Sequence, residues 1–210
     1  GPEPGFGVAH GAIVHRLAEG TDEPLVPLSA IRLLGAHLVA DVVAACAVAW
    51  IAGVPGEAMT RAVEGFAGLE HALELVAEVG GVRFVNDSKA TNLEAARRAV
   101  ESFPGGVVAI LGGRSKGGDW RVLREAVRGR ALAIVAIGES AGDVRQALTD
   151  LVPVHDAPTM EAAVATGAAL ARPGGVVLLA PACASFDMFR DYAERGRAFK
   201  QAVARLEGAR

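Results

Sequence analysis

The chain has 210 residues, 51% apolar and 21% charged, so it can bury a substantial core and is not a disordered segment. Its 21 basic and 24 acidic residues leave a net charge of −3, which argues against a nucleic-acid binder working through a broad cationic face. The longest apolar run, residues 42–55, falls short of the roughly 20 residues that a membrane span requires and is interrupted by Gly53, so it reads as a core helix.

Residues 1–4 carry no basic segment followed by an apolar run, and no secretory signal is expected. Residues 1–35 are rich in Gly and Pro, with short extended candidates at 7–14, 24–28 and 31–34. These pieces have few apolar residues and no helix to cover them, which predicts the edge of a larger domain. A helical pattern follows over 36–52, stopped by Gly53-Val54-Pro55-Gly56, and a second helix over 57–65. Pro55 suits a helix entry because a first turn does not need its N–H. Cys46, inside the first helix, reads as a small hydrophobe. With only Cys183 besides, no disulfide framework or zinc cluster is expected, and the setting reads as a reduced cytoplasm.

After an extended run at 73–79, strands predicted at 82–85, 107–111, 133–137, 152–154 and 176–179 alternate with helices at 93–102, 120–127, 144–148, 160–171 and 185–206. The last helix carries a potential break at Gly196. Continuously apolar strands spaced by helices predict an α/β, Rossmann-like, mostly parallel sheet with helices on both faces and right-handed crossovers over residues 72–210.

Open parallel sheets bind ligands beyond the carboxyl ends of their strands. Three polar loops fall there: Asn86-Asp87-Ser88-Lys89-Ala90-Thr91-Asn92, then Gly112-Gly113-Arg114-Ser115-Lys116-Gly117-Gly118-Asp119, then Pro181-Ala182-Cys183-Ala184-Ser185-Phe186-Asp187. Helix entrances with outward N–H groups, together with Lys89 and Lys116, suit a carboxylate or phosphate. Gly112 and Gly113 would let the backbone approach it. Thr91 and Ser185 also read as plain helix caps, and the lysines as solvated loop charges. No GxxxxGK[ST] or GxGxxG is present. His10, His15, His37, His71 and His155 show no ligand spacing, so no metal site is expected from this chain alone, and Ser185 lacks the GxSxG of a nucleophile elbow.

The three loops, with Phe66-Ala67-Gly68-Leu69-Glu70-His71 and Tyr192-Ala193-Glu194-Arg195-Gly196-Arg197-Ala198-Phe199, resemble the Mur ligase family over about residues 35–210, most specifically its D-glutamate-adding branch in peptidoglycan synthesis. The resemblance implies that residues 1–71 are the back part of a central ATP-binding domain and 72–210 a C-terminal domain that binds the incoming amino acid. It implies that ATP converts the carboxylate of UDP-N-acetylmuramoyl-L-alanine into an acyl phosphate, which the amine of D-glutamate attacks, with Mg2+ stabilising the transferring charge. By motif position, Thr91, Lys116, Ser185, Phe186 and Tyr192 would surround D-glutamate. Asp87 would meet the ATP ribose and Lys89 the phosphate end, with His37, Asp41 and His71 on the nucleotide side.

Three positions depart from the family pattern. His37, Leu38 and Asp41 stand where the family reads His-Asn…Asn, His71-Ala72 where it reads His-Arg, and Ala180 where it has serine. The amino-acid side is then intact and the nucleotide side altered. The uridine-binding domain, phosphate loop and principal magnesium ligands are expected in an N-terminal portion of the same ligase, so the chain alone is expected to be inactive. Two alternatives stand beside this: a non-catalytic amino-acid-binding or regulatory module, and a relative that adds a different amino acid. Neither nucleic acid nor membrane is an expected partner.

Overall fold

A computed structural model describes residues 3–208, which fall into two compact units parting between Gly68 and Leu69. The first unit is an antiparallel meander of β1 (Gly5–Ala9), β2 (Ala12–Arg16) and β3 (Asp22–Pro27), followed by α1 (Ala36–Ile51) and α2 (Gly56–Glu64). The single strand expected over 7–14 is instead a hairpin. His10 and Gly11 both take positive φ, 52° and 75°, as a tight two-residue turn between right-twisted strands requires. No strand forms at 31–34, because Leu28–Ala30 makes one 3-10 turn and bends the chain away. The meander is also not bare: Val42 and Cys46 of α1 and Met59 of α2 bury against Ile13, Leu25, Val26 and Ala30.

The second unit is built on six strands: β4 (Glu74–Val79), β5 (Val82–Asn86), β6 (Val107–Gly112), β7 (Ala131–Ile137), β8 (Val154–Asp156) and β9 (Val176–Leu179). Their order is β4-β5-β9-β6-β7-β8, parallel throughout except for the β4–β5 hairpin. The helices are α3 (Leu93–Glu101), α4 (Arg124–Val127), α5 (Ala141–Leu148), α6 (Met160–Leu170) and α7 (Tyr192–Gly208). Alternation along the strands serves two cores. Phe84, Val108, Ile110, Val135 and Val177 pack with Met160, Val164, Phe199 and Val203 of α6 and α7. Val85, Ala109 and Leu111 point the other way, where α3 and α5 bury Ala96, Val100, Val144 and Leu148. The expected α/β sheet with helices on both faces is therefore what forms.

Local departures have local causes. The helix expected at 120–127 opens with a 3-10 segment, Trp120–Leu123, and β8 lies two residues later than expected. Residues 185–191 do not join the last helix: the Ser185 carbonyl accepts from Met188 and Phe189 N–H (3.0 and 2.8 Å), closing a turn, and α7 starts at Tyr192. Nor does α7 break at Gly196, where the absent side chain makes room for the His71 ring, which an added Cβ would overlap. For the candidate site, the topology matters most. The chain leaves β5, crosses to β6 and returns later as β9 between them, so the loops after these three adjacent strands emerge side by side.

Candidate functional site

The floor of the site is set by β5. Asn86 at its end is fully buried; its Oδ1 accepts Ser88 N–H (3.1 Å), which turns the chain back, while Nδ2 donates to Glu74 Oε2 (3.1 Å) and His71 Nδ1 (2.8 Å). Asp87, 9% exposed, accepts Leu73 N–H at Oδ1 (3.3 Å). Burial raises its pKa to about 6, against the pull of that bond and of Lys89. Asn92, not Thr91, caps α3, its side chain accepting Ala95 N–H at 2.8 Å. Thr91 is thereby spared, and its Oγ1 accepts from Lys116 Nζ at 3.4 Å across 25 residues of sequence.

Backbone bonds lace the three loops together. Gly112 N–H donates to Pro181 O (2.8 Å), Arg114 and Ala184 exchange two bonds (2.9 and 3.1 Å), and Ala182 N–H donates to Ala90 O (2.9 Å). Gly113, at φ 135°, makes this closeness possible: a Cβ there would stand 2.5 Å from the Ala184 carbonyl oxygen. Ser185 is buried on the third loop, and Phe186 is 62% exposed. Tyr192 opens α7 with its ring under Lys89 Nζ, 5.6 Å from the centroid, and edge-on to His71 at 6.1 Å.

Thr91, Lys116, Asp87, Lys89, Ser185 and Tyr192 thus share one edge of the second unit, whereas His37 and Asp41 belong to α1 of the first unit. His71 is only 3% exposed. Its Nδ1 lies 2.8 Å from the Asn86 amide nitrogen, and its Nε2 is turned towards Glu70 (3.8 Å). It supports the loop from within.

Sequence reasoning gave no role to Arg195, which at 1% exposure is the largest of the side chains buried almost completely. Its Nε and Nη2 donate to Ser88 Oγ and Ser88 O (3.0 and 2.9 Å) and its Nη1 to Cys183 O (3.1 Å). All three acceptors are neutral, so a positive charge lies under the loops; burial lowers its pKa to about 10, which keeps it protonated at neutral pH. A signal existed: Phe199, Ala202 and Val203 mark the inward stripe of α7, and a step of four residues back reaches 195. The Cys183 thiol, 3.4 Å from Ser140 Oγ, is pushed up by burial and is no nucleophile.

One grouping among the described residues has the composition of a cation site, Glu70, His71 and Glu74, with ligand atoms within 4.8 Å of one another. Lys200 Nζ already stands there, 2.6 Å from Glu74 and 3.1 Å from Glu70, so these residues do not fit a magnesium ion. Lysine occurs only three times among the 21 basic residues, and Lys89, Lys116 and Lys200 all lie in or beneath this region. No helix among the described residues is long and apolar enough to cross a membrane.

A doubly wound sheet with its polar loops gathered at one edge defines a ligand-binding α/β domain, and residues 73–183 match the family described as Mur ligase, glutamate ligase domain. The chain belongs to that family. It is 50% identical over 203 residues to the UDP-N-acetylmuramoylalanine--D-glutamate ligase of Acidobacterium capsulatum, covering 96% of this chain and 44% of that protein. It is 44% identical over 202 residues to the protein of the same name from Chlorobaculum parvum, covering 95% and 43%. The chain thus spans less than half the length of these relatives. Among solved structures, its fold is like that of the UDP-N-acetylmuramate-alanine ligase of Thermotoga maritima (TM-score 0.65, 15% identity, 86% of this chain and 40% of that one). It is also like the pseudomurein peptide ligase type C of Methanothermus fervidus (TM-score 0.67, 12% identity, 98% and 42%).

Proposed function

We propose that this chain is the C-terminal part of an ATP-dependent ligase that adds D-glutamate to UDP-N-acetylmuramoyl-L-alanine in cytoplasmic peptidoglycan synthesis. Residues 1–71 then form the back of its ATP-binding domain, and 72–210 hold the incoming amino acid. ATP with Mg2+ supplies the activating phosphoryl group, turning the acceptor carboxylate into an acyl phosphate. The amine of D-glutamate attacks that carbonyl, the amide C–N bond forms, inorganic phosphate leaves with the C–O bond electrons, and the amine gives up a proton.

The residues of this chain bind and orient. The Lys116 ammonium and Thr91 hydroxyl take a glutamate carboxylate, Ser185 adds a donor, and Phe186 and Tyr192 line the side-chain path. Asp87, ionised above its pKa of about 6, accepts from ribose hydroxyls, and Lys89 meets the phosphate end. His37, Asp41 and His71 are carried to the nucleotide side by motif position alone. The principal magnesium ligands belong to the N-terminal portion. The observation that carries this reading is the meeting of Lys116 with Thr91, since it joins two loops around a cation and a hydroxyl that no helix cap consumes.

Calorimetric titration of the 210-residue chain with D-glutamate, L-glutamate and L-lysine tests it. D-glutamate should bind best, and K116A should weaken it about tenfold or more, as expected for loss of one charge-assisted bond. Stronger binding of L-lysine, or an unchanged affinity in K116A, would overturn the assignment. With ATP, Mg2+, D-glutamate and the muramoyl nucleotide, the isolated chain should form no product; turnover would defeat the claim that it is only part of the enzyme. Leu38, Asp41 and Ala72 favour the rival reading of a binding module, which full activity of the unaltered full-length protein would eliminate.

A further inference from the structure

We propose that Arg195 and Ser88 form a positioning pair that holds Tyr192, and through its ring Lys89, in register with the 180–187 loop; this rests on reading the three loops as an amino-acid site. The Arg195 guanidinium binds Ser88 twice, at Oγ (3.0 Å) and at the carbonyl (2.9 Å), and the Cys183 carbonyl once (3.1 Å). Ser88 is fully buried and passes the connection on, its hydroxyl donating to the Tyr192 carbonyl at 2.6 Å. That hydroxyl accepts from Arg195 and donates to Tyr192, which fixes its rotor. Tyr192 carries the ring over which Lys89 Nζ rests at 5.6 Å. One guanidinium therefore spans the first and third loops and, through a single hydroxyl, the start of α7.

The residue type suits the task. Three acceptors in different directions match the rigid fork of a guanidinium, whereas a lysine at 195 would reach one of them and leave the others unpaired. Burying a cation among neutral acceptors is costly; the fixed geometry of its three bonds offsets it, helped by the charge of Asp187, which those bonds do not reach. Ser88 itself is excluded as a nucleophile by its burial and by its bond to the Tyr192 carbonyl.

With three lysines in the sequence, side-chain NMR resolves the Lys89 ε-methylene signal, assigned by its loss in K89R. In the wild-type chain the Tyr192 ring should displace it upfield; Y192F should keep that displacement and Y192L abolish it. S88A and R195M should lose at least half of it, with the Lys200 and Trp120 indole signals unmoved, and should raise the D-glutamate Kd about tenfold. S88A leaves both carbonyl bonds of Arg195 in place, so it decides the question if R195M does not fold. Full displacement of Lys89 in folded S88A, or none in the wild type, would overturn the proposal. If the wild-type chain fails to bind D-glutamate, the functional reading falls, while the Lys89 signal still decides the positioning pair.

Discussion

Replacing Asp87 by asparagine isolates the energetic cost of keeping a charge in the floor of the site. The side chain is 9% exposed, and burial lifts its pKa from the ordinary 3.8 to about 6 despite the Leu73 N–H and the nearby Lys89 ammonium. The folded state therefore holds the Asp87 proton more tightly than the unfolded state does. The stability this group contributes is complete below pH 3.8, is lost as pH rises from there through about 6, and is flat beyond. At about 1.4 kcal/mol per pH unit, the ionised carboxylate costs the fold roughly 3 kcal/mol at pH 8 and about 1 kcal/mol at pH 4.5. Asparagine has the same shape, retains the acceptor for Leu73 N–H and never ionises. D87N should therefore stabilise the second unit by those amounts, with the gain growing as pH rises. Urea midpoints followed by Trp120 fluorescence in a W50F background measure it, since Trp50 and Trp120 are the two tryptophans and Trp120 lies in this unit. No gain at pH 8, or an equal gain at both pH values, would show that the charge is not what the fold bears.

Other substitutions probe the supports of the site. G196A should cost about 1–3 kcal/mol by overpacking, because its Cβ would strike the His71 ring, and H71A should return part of that loss in a thermal melt; an unshifted G196A would contradict the packing. K200M removes the ammonium bonded to Glu74 at 2.6 Å. Burial alone would raise the Glu74 pKa, but the bonds from Lys200, His71 N–H and Asn86 outweigh it and hold it below its ordinary 4.5. The stability from this carboxylate is present above pH 4.5 and is lost as pH falls, so K200M should cost roughly 1 kcal/mol at pH 7 and less at pH 4 by urea midpoint. A loss that is the same at both values would place the effect in packing of the lysine stem.

The sheet of the second unit was legible because its strands are apolar without interruption, a pattern that only burial on both faces sustains. The site loops were legible for a related reason: polar residues that interrupt such a chain have few places to go except the strand ends. What escaped depends on single bonds. Whether Thr91 or its neighbour caps α3 cannot be told from a run of Thr and Asn, and one position decides whether the hydroxyl is free for a ligand. The hairpin at His10-Gly11 escaped because His-Gly is not among the Asn-Gly, Asp-Gly and Gly-Gly pairs that mark a two-residue turn, although both residues take positive φ. Arg195 escaped because a charged residue on a helix is presumed solvated, although the stripe ending in Phe199 and Val203 already placed it inside.

A site for a small anion needs a cation that the protein has not already satisfied. The arginines of this chain are largely spoken for: Arg16 pairs with Asp22, Arg97 with Glu94, Arg114 with Glu139, Arg124 with Asp150, Arg145 with Asp156. Lys200 is likewise neutralised, by Glu70 and Glu74. Lys89 and Lys116 form no ion pair among the described residues; one rests on an aromatic ring and the other on a hydroxyl, partners that a carboxylate or phosphate displaces at little cost. A guanidinium reaches further and pairs bidentately with nearby carboxylates, as Arg114 does with Glu139 beyond β7, whereas a compact ammonium held by weak partners stays available. On the proposed function, lysine at these two positions, in a chain that otherwise prefers arginine, keeps the charge for the ligand.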